Sequence, residues 1–384
     1  MKQVRTNFTL RHCAQAVRNA LLVMAAGNAL AGPEGAQVVG GAGSISQSGL
    51  TTTINQSTQN MAINWQSYNV DADERVQYIQ PNSSSISLNR ILSNNGSTIA
   101  GRIDANGQVI LVNPNGVFFT PTSVVNVGGI IASGLDIVPS DFMNGNYIFN
   151  EVLDTEGKVI NSGTINASLG GNVALIGKQV ENDGLIVANL GAVNLAAGKQ
   201  AVLTFDNGGL LGVRISKEIL QDELGVDPAV MNSGEIHAER GRVLLTASTS
   251  QDVFSQAVNT AGLDQATSVV VNEDGSFTLG GGANVVNSGT IDASTASSDQ
   301  GVGRIVLLGE NVTSSGELRA DAASGNAGEI GLHAQNTTLL TENGITSVRA
   351  ALVGEGCQGN NPNIRNARRA TVAPETATYA RAVS

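Results

Sequence analysis

The stretch Val109-Ile-Leu-Val-Asn-Pro-Asn-Gly-Val-Phe-Phe119 decides the fold class of this chain. Two apolar runs flank the tetrapeptide Asn113-Pro114-Asn115-Gly116. Pro114 presets φ for the second position of a tight turn, and Gly116 tolerates a positive φ. The two asparagines can bond their own backbone or adopt a left-handed conformation. The stretch therefore predicts two β-strands that meet at a fixed corner.

A related pattern of strand, corner and strand recurs in the second half of the chain. Each copy has a polar corner, typically Asn-Ser-Gly, a short alternating strand, a gap and a second alternating strand. The copies begin at Val159, Val180, Val230, Val285 and Val312, and the first two are shifted by 21 residues. Alternation with a period of two indicates strands, and stacking successive copies buries the apolar face that a single copy leaves open. The repeats therefore predict an all-β solenoid.

Equivalent corners of the repeats carry an asparagine, at Asn161, Asn182, Asn232 and Asn287. Stacked asparagines can bond each other from rung to rung, so we predict a side-chain amide ladder. The alternative architectures are a β-sandwich and a β-propeller. A propeller needs aromatic blade signatures and a longer repeat, because each blade has four strands.

Composition agrees with a thin stacked core. The 384 residues include 46 glycines, 41% are hydrophobic and only 3% are aromatic. We predict one extended domain over residues 32–345, with an N-terminal cap over about 36–85 and rungs over about 86–345. Trp65, the single tryptophan, and Tyr68 are expected to form the core of the cap.

Residues 1–31 have the features of a secretion signal. Four basic residues precede the apolar run Ala20–Ala26, and Ala29-Leu-Ala31 fits the rule for a cleavage site. The alternative is an amphipathic N-terminal helix of a cytosolic protein. Without the leader, 17 of the 21 basic residues remain against 32 acidic ones, a formal charge of −15. This charge argues against nucleic acid or an anionic membrane as a partner.

Two segments interrupt the repeats, and a third follows them. Lys217–Leu224 has helical spacing, and Ser268–Leu279 has the pattern of a β-hairpin with its turn at Asp274-Gly275. Both are expected to pack on the flank of the solenoid. Residues 346–384 lose the pattern, and we predict a disordered, locally basic tail. Outside the leader the chain has one cysteine, Cys357, which excludes an intrachain disulfide.

No residue pattern points to catalysis or to a cofactor. His237 and His333 have no metal-ligand spacing and are assigned to solvated strand faces. The densest acidic cluster, Asp71-Ala-Asp73-Glu74, lacks the glycine and terminal glutamate of a calcium loop and is expected to be a surface turn. We therefore predict a non-enzyme without cofactor or metal. The alternative is a carbohydrate-active enzyme, because β-helices include polysaccharide lyases and hydrolases.

Further motifs surround the corner in a characteristic order. They are Ile63-Asn-Trp-Gln-Ser-Tyr-Asn-Val70, Val76-Gln-Tyr-Ile-Gln-Pro81, Leu88-Asn-Arg-Ile91, Val127-Gly-Gly-Ile-Ile-Ala-Ser133 and Leu135-Asp-Ile137. Together they resemble the secretion domain of the two-partner secretion exoproteins, the filamentous-haemagglutinin-like family. The resemblance is dense over 36–137 and looser to about 345. A second Asn-Pro-Asn-Leu tetrapeptide is absent, and Thr120-Pro-Thr122 replaces the small residues that often follow the phenylalanine.

The resemblance implies a right-handed parallel β-helix with an N-terminal cap and small extra-helical insertions. It implies a monomeric exoprotein that an outer-membrane β-barrel transporter of the TpsB type, with periplasmic receptor modules, recognises and exports to the cell surface or the medium. By the same resemblance the product is an adhesin or haemagglutinin, a virulence function with a host-cell glycan or protein as receptor. The alternative is a truncated carrier of a contact-dependent toxin. For Asn113, Pro114, Asn115 and Gly116 the choice lies between transporter recognition and a structural turn, and turn geometry favours the latter.

Overall fold

The structure is a computed structural model. It describes residues 32–206, 209–247, 269–271, 277–279, 282–296, 303–323, 327–341, 343–350 and 378–381. The chain divides into two units, residues 1–31 and residues 32–384. The predicted signal, residues 1–31, lies outside the described residues, so all of the described structure belongs to the second unit.

Strands dominate this unit. In chain order they are β1 (Gln37–Gly40), β2 (Gly43–Ser48), β3 (Thr51–Gln56), β4 (Asn60–Trp65), β5 (Arg75–Ile79), β6 (Ile86–Ile91), β7 (Ser97–Ile99), β8 (Arg102–Ala105), β9 (Gln108–Val112), β10 (Val117–Phe119), β11 (Val124–Val127), β12 (Gly129–Ser133), β13 (Ile148–Asn150), β14 (Lys158–Asn161), β15 (Thr164–Ala167), β16 (Val173–Gly177), β17 (Gln179–Asn182), β18 (Leu185–Val187), β19 (Ala192–Ala197), β20 (Gln200–Asp206), β21 (Gly209–Lys217), β22 (Val230–Asn232), β23 (Glu235–His237), β24 (Arg242–Thr246), β25 (Val269–Val271), β26 (Phe277–Leu279), β27 (Val285–Asn287), β28 (Thr290–Asp292), β29 (Arg304–Ser314), β30 (Glu317–Arg319), β31 (Glu329–Leu340), β32 (Ile345–Ser347) and β33 (Thr378–Arg381). The helices are α1 (Pro139–Met143) and α2 (Gln221–Leu224).

Most strands belong to three columns of parallel strands. The first column contains β4, β6, β9, β12, β16, β19, β24, β29 and β31. The second contains β7, β10, β14, β17, β22 and β27 and continues in the C-terminal parts of β29 and β31. The third contains β3, β5, β8, β11, β15, β18, β23, β28, β30 and β32. The chain visits the three columns in turn, and each circuit is one rung, which confirms the predicted right-handed parallel β-helix.

The repeats stack in register, and this register builds the core. Val159 pairs with Val180, Val180 with Val230, and Val230 with Val285. All four valines are fully buried. Because side chains alternate between the two faces of a strand, one member of each pair of neighbours points inward and the next outward. The valine at the start of each copy therefore lines a continuous interior along the rungs.

A second apolar cluster covers the outer face of the first column. It includes outward-facing residues of that column, such as Ile110 and Ile131, and is completed by Phe142 of α1 and Phe149 of β13. Strands β13, β20 and β21 form an antiparallel sheet of their own, which contributes Leu203. Strands β9 and β12 are consequently buried over their whole length. The first column therefore packs against apolar side chains on both faces, the interior of the solenoid on one side and the outer cluster on the other.

The interruptions of the repeat differ from expectation in one case. Lys217–Leu224 is not a continuous helix, because Lys217 ends β21 and only Gln221–Leu224 is helical. Lys217 pairs with Gln200 of β20, and residues 218–220 are neither strand nor helix. Helical spacing over so short a segment stabilises little helix. The predicted hairpin is confirmed, since β25 and β26 pair antiparallel. Its turn at Asp274-Gly275 lies outside the described residues.

The ends of the first column are both closed by antiparallel strands. β1 pairs antiparallel with β4, and β33 pairs antiparallel with β31. The tail predicted to be disordered, residues 346–384, thus contains a strand at Thr378–Arg381, because the edge of β31 offers unpaired backbone groups. Residues 351–377 lie outside the described part. At the N-terminal end the parallel rungs begin earlier than expected, since β3 already pairs in parallel with β5.

Neither described helix is long and apolar enough to cross a bilayer.

Candidate recognition site at the N-terminal rungs

Trp65 anchors the first rung through a buried hydrogen bond. Its side chain is 1% exposed, and Nε1–H donates to Oδ1 of Asn89 on the next rung over 3.0 Å. The Asn89 amide in turn donates to the carbonyl oxygen of Ile110, one rung further, over 3.3 Å. A buried polar group stays stable only when it is bonded. One indole and one amide therefore tie three successive rungs together.

Tyr68 extends this cluster on the inside of the helix. Its ring meets Trp65 edge to face, with ring centroids 5.4 Å apart. Its hydroxyl lies 2.7 Å from the hydroxyl of Tyr78. Burial raises the pKa of Tyr68 above its usual range, and burial likewise raises the pKa of Tyr78. Both hydroxyls thus stay protonated and share one hydrogen bond, which satisfies them inside an apolar core.

The Asn113–Gly116 corner is a closed turn. The Gly116 amide donates to the carbonyl oxygen of Asn113 over 2.9 Å, and Gly116 has φ +109°. The Asn115 amide donates to Oδ1 of Asn113 over 3.0 Å. The Pro114 carbonyl accepts a bond of 2.9 Å from the amide of Gly157. Turn geometry thus places each of the four residues.

The two asparagine side chains of the corner also clamp a neighbouring loop. The fully buried Asn113 donates from Nδ2 to the carbonyl oxygen of Asn95 and to Oγ of Ser97, over 3.0 Å each. Asn115 Nδ2 donates to the carbonyl oxygen of Ser93 over 2.8 Å. Asn115 is the only corner residue that is partly exposed. The sequence predicted the turn but carried no signal for the clamps, whose acceptors lie about one rung earlier.

Arg90 and Asp136 join two of the motifs that define the N-terminal region. Arg90 donates from Nε and Nη2 to the two carboxylate oxygens of Asp136, over 2.7 Å each. This bidentate geometry raises the pKa of Arg90, chiefly through the hydrogen bond to Asp136. Asp136 is itself fixed, because its backbone exchanges hydrogen bonds with Asn150. This pair was not predicted, although both residues lie within the quoted motifs.

The four rung asparagines lie in one line. Nδ2 of Asn161 donates to Oδ1 of Asn182 over 2.7 Å, Asn182 donates to Asn232 over 2.8 Å, and Asn232 donates to Asn287 over 2.8 Å. Asn287 then donates to Oγ of Ser314 over 3.2 Å. All four asparagines are fully buried. On the rung before Asn161 the equivalent position is Phe119, so the line starts only after the N-terminal rungs.

The glycine of each Asn-Ser-Gly corner permits the close stacking of the corners. A Cβ built on Gly234 would overlap the carbonyl oxygen of Gly184, and a Cβ on Gly289 would overlap that of Gly234. The amide of Gly234 donates to the carbonyl oxygen of Asn182 over 3.0 Å. The corner motif therefore combines an amide for bonding with a glycine for close approach.

The acidic cluster near the cap divides into two environments. Asp71 and Asp73 are exposed, as expected of a surface turn, but Glu74 is only 3% exposed. The assignment of Glu74 to the surface was wrong. The missed signal was its position directly before the alternating strand β5, where a side chain can turn inward.

The remaining candidates for chemistry lie apart. His237 is on the third column beside Glu235, 3.0 Å away, while His333 is on the first column. Burial lowers the pKa of His333, and the nearby Arg304 lowers it further. In the described part of the chain, no three His, Cys, Asp or Glu side chains are grouped so that they could hold a metal ion.

The stacked rungs, the capped first column and the clamped corner define a capped parallel β-helix. The chain matches the TPS secretion domain family over residues 29–293. It belongs to this family, the secretion domain of two-partner secretion exoproteins, as the resemblance predicted.

Two heme/hemopexin-binding proteins of Haemophilus influenzae are similar in sequence. One is 34% identical over 223 residues, which is 56% of this chain and 23% of that protein. The other is 38% identical over 85 residues, which is 22% of this chain and 9% of that protein. The chain thus spans less than a quarter of either relative.

Two solved secretion domains are similar in structure. The HMW1 secretion domain of Haemophilus influenzae has a TM-score of 0.62 and 24% identity, with 83% of this chain and 84% of that chain covered. The filamentous hemagglutinin secretion domain has a TM-score of 0.46 and 13% identity, with 83% and 96% covered. The first of these supports the same fold.

Proposed function

We propose that this chain is exported by an outer-membrane β-barrel transporter, whose periplasmic receptor modules recognise the N-terminal rungs. The observation that carries the proposal is the family match over residues 29–293, which includes every N-terminal motif. The leader, residues 1–31, directs the chain to the periplasm and is removed there. The product is a monomer in the medium or on the cell surface.

Recognition takes place before the chain folds. Trp65, Tyr68, Asn113, Pro114 and Gly116 are all buried in the folded domain. A receptor cannot contact buried side chains, so a transporter that recognises these motifs meets them in the unfolded chain. The corner then acts twice, first as part of a recognised segment and later as the turn that clamps the Ser93–Ser97 loop.

Binding to the isolated receptor modules tests this order of events. We expect the denatured chain, rapidly diluted from urea, to bind the modules, and the refolded chain to bind at least tenfold more weakly. Asn115→Asp replaces the donor to Ser93 with an acceptor, so it destabilises the folded corner and does not isolate recognition. Pro114→Ala keeps every side-chain clamp and is the cleaner variant. Equal binding of folded and denatured chain contradicts recognition before folding.

Folding of the chain outside the outer membrane favours its outward movement through the transporter. Each rung contacts its neighbours, so emerging rungs add one at a time to a folded cap. Trp65→Ala and Val112→Asp both disrupt the buried N-terminal rungs. We expect each to lower the secreted amount while the leader is still removed. Normal secretion by both variants contradicts the proposal.

For the secreted product we propose adhesion to host cells through a surface glycan or protein. The proposal rests on the family resemblance and on polar residues at the outward face of the third column, such as Asn126 and Asn166. Agglutination of erythrocytes and binding to epithelial cells by the purified chain test it. No binding above that of an unrelated β-helix of equal charge contradicts it.

Heme or hemopexin binding is the second candidate, favoured by the names of the two sequence relatives. Titration of the purified chain with heme, followed by the Soret absorbance, and with hemopexin separates it from adhesion. We further propose that the chain is not an enzyme. Assays on polyuronates with and without Ca²⁺ test this, and turnover with either contradicts it.

A further inference from the structure

Glu74 is a buried acid, and one of its two carboxylate oxygens has no hydrogen-bond partner. It is 3% exposed, and its Oε2 accepts a hydrogen bond of 2.7 Å from the amide of Asp71. Its Oε1 is buried and has no hydrogen-bond partner. Burial raises the pKa of Glu74, and the charges of Asp71 and Asp73 raise it further. An unpaired buried carboxylate oxygen is costly, which indicates that a donor belongs there.

Gly32, the first residue of the described unit, lies against this oxygen. A Cβ built on Gly32 would be 3.5 Å from Oε1 of Glu74 and 3.3 Å from Oγ1 of Thr52. The same position is 3.4 Å from Nε2 of Gln47. The Gln47 side-chain amide can turn either its oxygen or its nitrogen toward that position. Gly32 is held in place two residues away, where the amide of Glu34 donates to the carbonyl oxygen of Ser67 over 2.9 Å.

Removal of the leader changes the chemistry of Gly32. Hydrolysis adds one water across the Ala31–Gly32 peptide bond and leaves a carboxylate on Ala31 and an α-ammonium on Gly32. The N–Cα and Cα–Cβ bonds are about equally long, so rotation about the Cα–C bond carries the new nitrogen to the Cβ position. That position is free because residue 32 is a glycine and has no Cβ. Its φ of +104° is one that a residue with a side chain rarely adopts.

We propose that the α-ammonium of Gly32, created by cleavage after Ala31, is the missing partner of Glu74 and forms a buried ion pair that locks the N-terminal cap. The inference rests on the leader removal proposed above but not on the transporter. Before cleavage the Gly32 nitrogen is an uncharged amide, and the carboxylate stays unpaired. Leader removal therefore adds an ion pair to the N-terminal cap, and this pair stabilises the cap once the exported chain folds.

Titration of the mature α-amine tests the proposal. The full chain is exported to a bacterial periplasm, purified and checked by mass spectrometry for an N-terminus at Gly32. The α-amine pKa is then measured from the pH dependence of its acylation, against Glu74→Gln and a matched control, Asp73→Asn. An ordinary α-amine has a pKa of about 7.7–8.0.

In the wild-type chain and in Asp73→Asn we expect an α-amine pKa raised by at least about one unit, so that acylation at pH 8 is at least roughly fourfold slower than in a free peptide. In Glu74→Gln we expect the ordinary value. An ordinary pKa in the wild-type chain, or cleavage at another bond, overturns the proposal. The wild-type measurement decides even if Glu74→Gln does not fold.

Stability against pH gives a second readout with a defined sign. A group with a raised folded pKa contributes stability that is complete below its unfolded pKa and is lost as the pH rises through its folded pKa. We therefore expect the urea midpoint of the mature chain to fall between about pH 8 and pH 10. A chain that retains Ala31 should show no such fall, because its terminal amine lies one residue too far out. Equal profiles for the two chains contradict the ion pair.

Discussion

The N-terminal rungs and the repeat rungs are held together in different ways. In the N-terminal rungs each contact is used once, as in the Trp65–Asn89 bond and the Arg90–Asp136 pair. In the repeats one contact, an amide-to-amide bond of 2.7–2.8 Å, recurs from Asn161 to Asn287. Unique contacts specify where folding starts, whereas repeated ones allow rungs to be added or interrupted. The hairpin β20–β21 interrupts the chain between two ladder members without breaking the ladder.

Trp65→Ala should have a larger effect on stability than the loss of a ladder amide, a corner glycine or the Arg90 guanidinium. It removes a fully enclosed indole and leaves the Asn89 amide without its donor, so we expect a loss of about 4 kcal/mol in the free energy of unfolding. Urea unfolding measures this loss. Trp65→Phe keeps most of the volume and should lose less than half as much. If the two variants unfold alike, the indole's packing is not what anchors the first rung.

Asn232→Ala should rank second and should act locally. It takes the short bond from Nδ2 of Asn182, which keeps only a 3.4 Å bond to the carbonyl oxygen of Gly184, and it leaves Oδ1 of Asn287 without its donor. Together these losses cost about 3 kcal/mol. Hydrogen exchange should speed up in β17, β22 and β27 while β4 and β6 keep their protection. Ser233→Ala changes the exposed neighbour in the same corner and should be nearly neutral. Equal loss of protection along the whole solenoid would show that the repeats unfold with the cap.

Gly234→Ala should follow at about 2 kcal/mol, because its Cβ overlaps the carbonyl oxygen of the rung before. Gly234→Val should cost more, since a branched side chain pushes the two corners further apart. Urea midpoints of both variants measure this size dependence. Midpoints equal to that of the wild-type chain would mean that the corners can separate freely.

Arg90→Lys should have the smallest effect, about 1 kcal/mol, because lysine keeps the charge but not the bidentate geometry. The pair is partly exposed, with 26% of the Arg90 side chain and 17% of the Asp136 side chain accessible. Salt should therefore reduce the difference between variant and wild type. A difference that does not change with salt would mean that packing of the arginine stem, rather than its charge, carries the effect.

The sequence predicted features that depend on local patterns. Alternation indicated the strands, the Asn-Ser-Gly corners indicated the register of the repeats, and turn chemistry indicated the Asn113–Gly116 corner. Apart from the amide ladder, which the repeats indicated, it did not predict contacts between side chains far apart along the chain. The Arg90–Asp136 pair and the loop clamps depend on which rungs become neighbours, and Glu74 lies against Gly32, which is far away along the chain. The outer cluster around Phe142 and Phe149 was missed because β13 pairs with the distant β20.

The asparagine line also has a direction. Every amide in it donates toward the C-terminal rung, and each one after Asn161 accepts from the N-terminal side, so the side-chain dipoles from Asn161 to Asn287 point the same way. Such a chain of bonds polarises cooperatively. Between Asn161 and Asn287, a partly built solenoid ends in an asparagine Nδ2 donor, and the next corner supplies the acceptor when it is in register. When the solenoid grows from the N-terminus, each new corner is therefore tested for register by this hydrogen bond. The test ends at Ser314, whose hydroxyl accepts the last bond of the line.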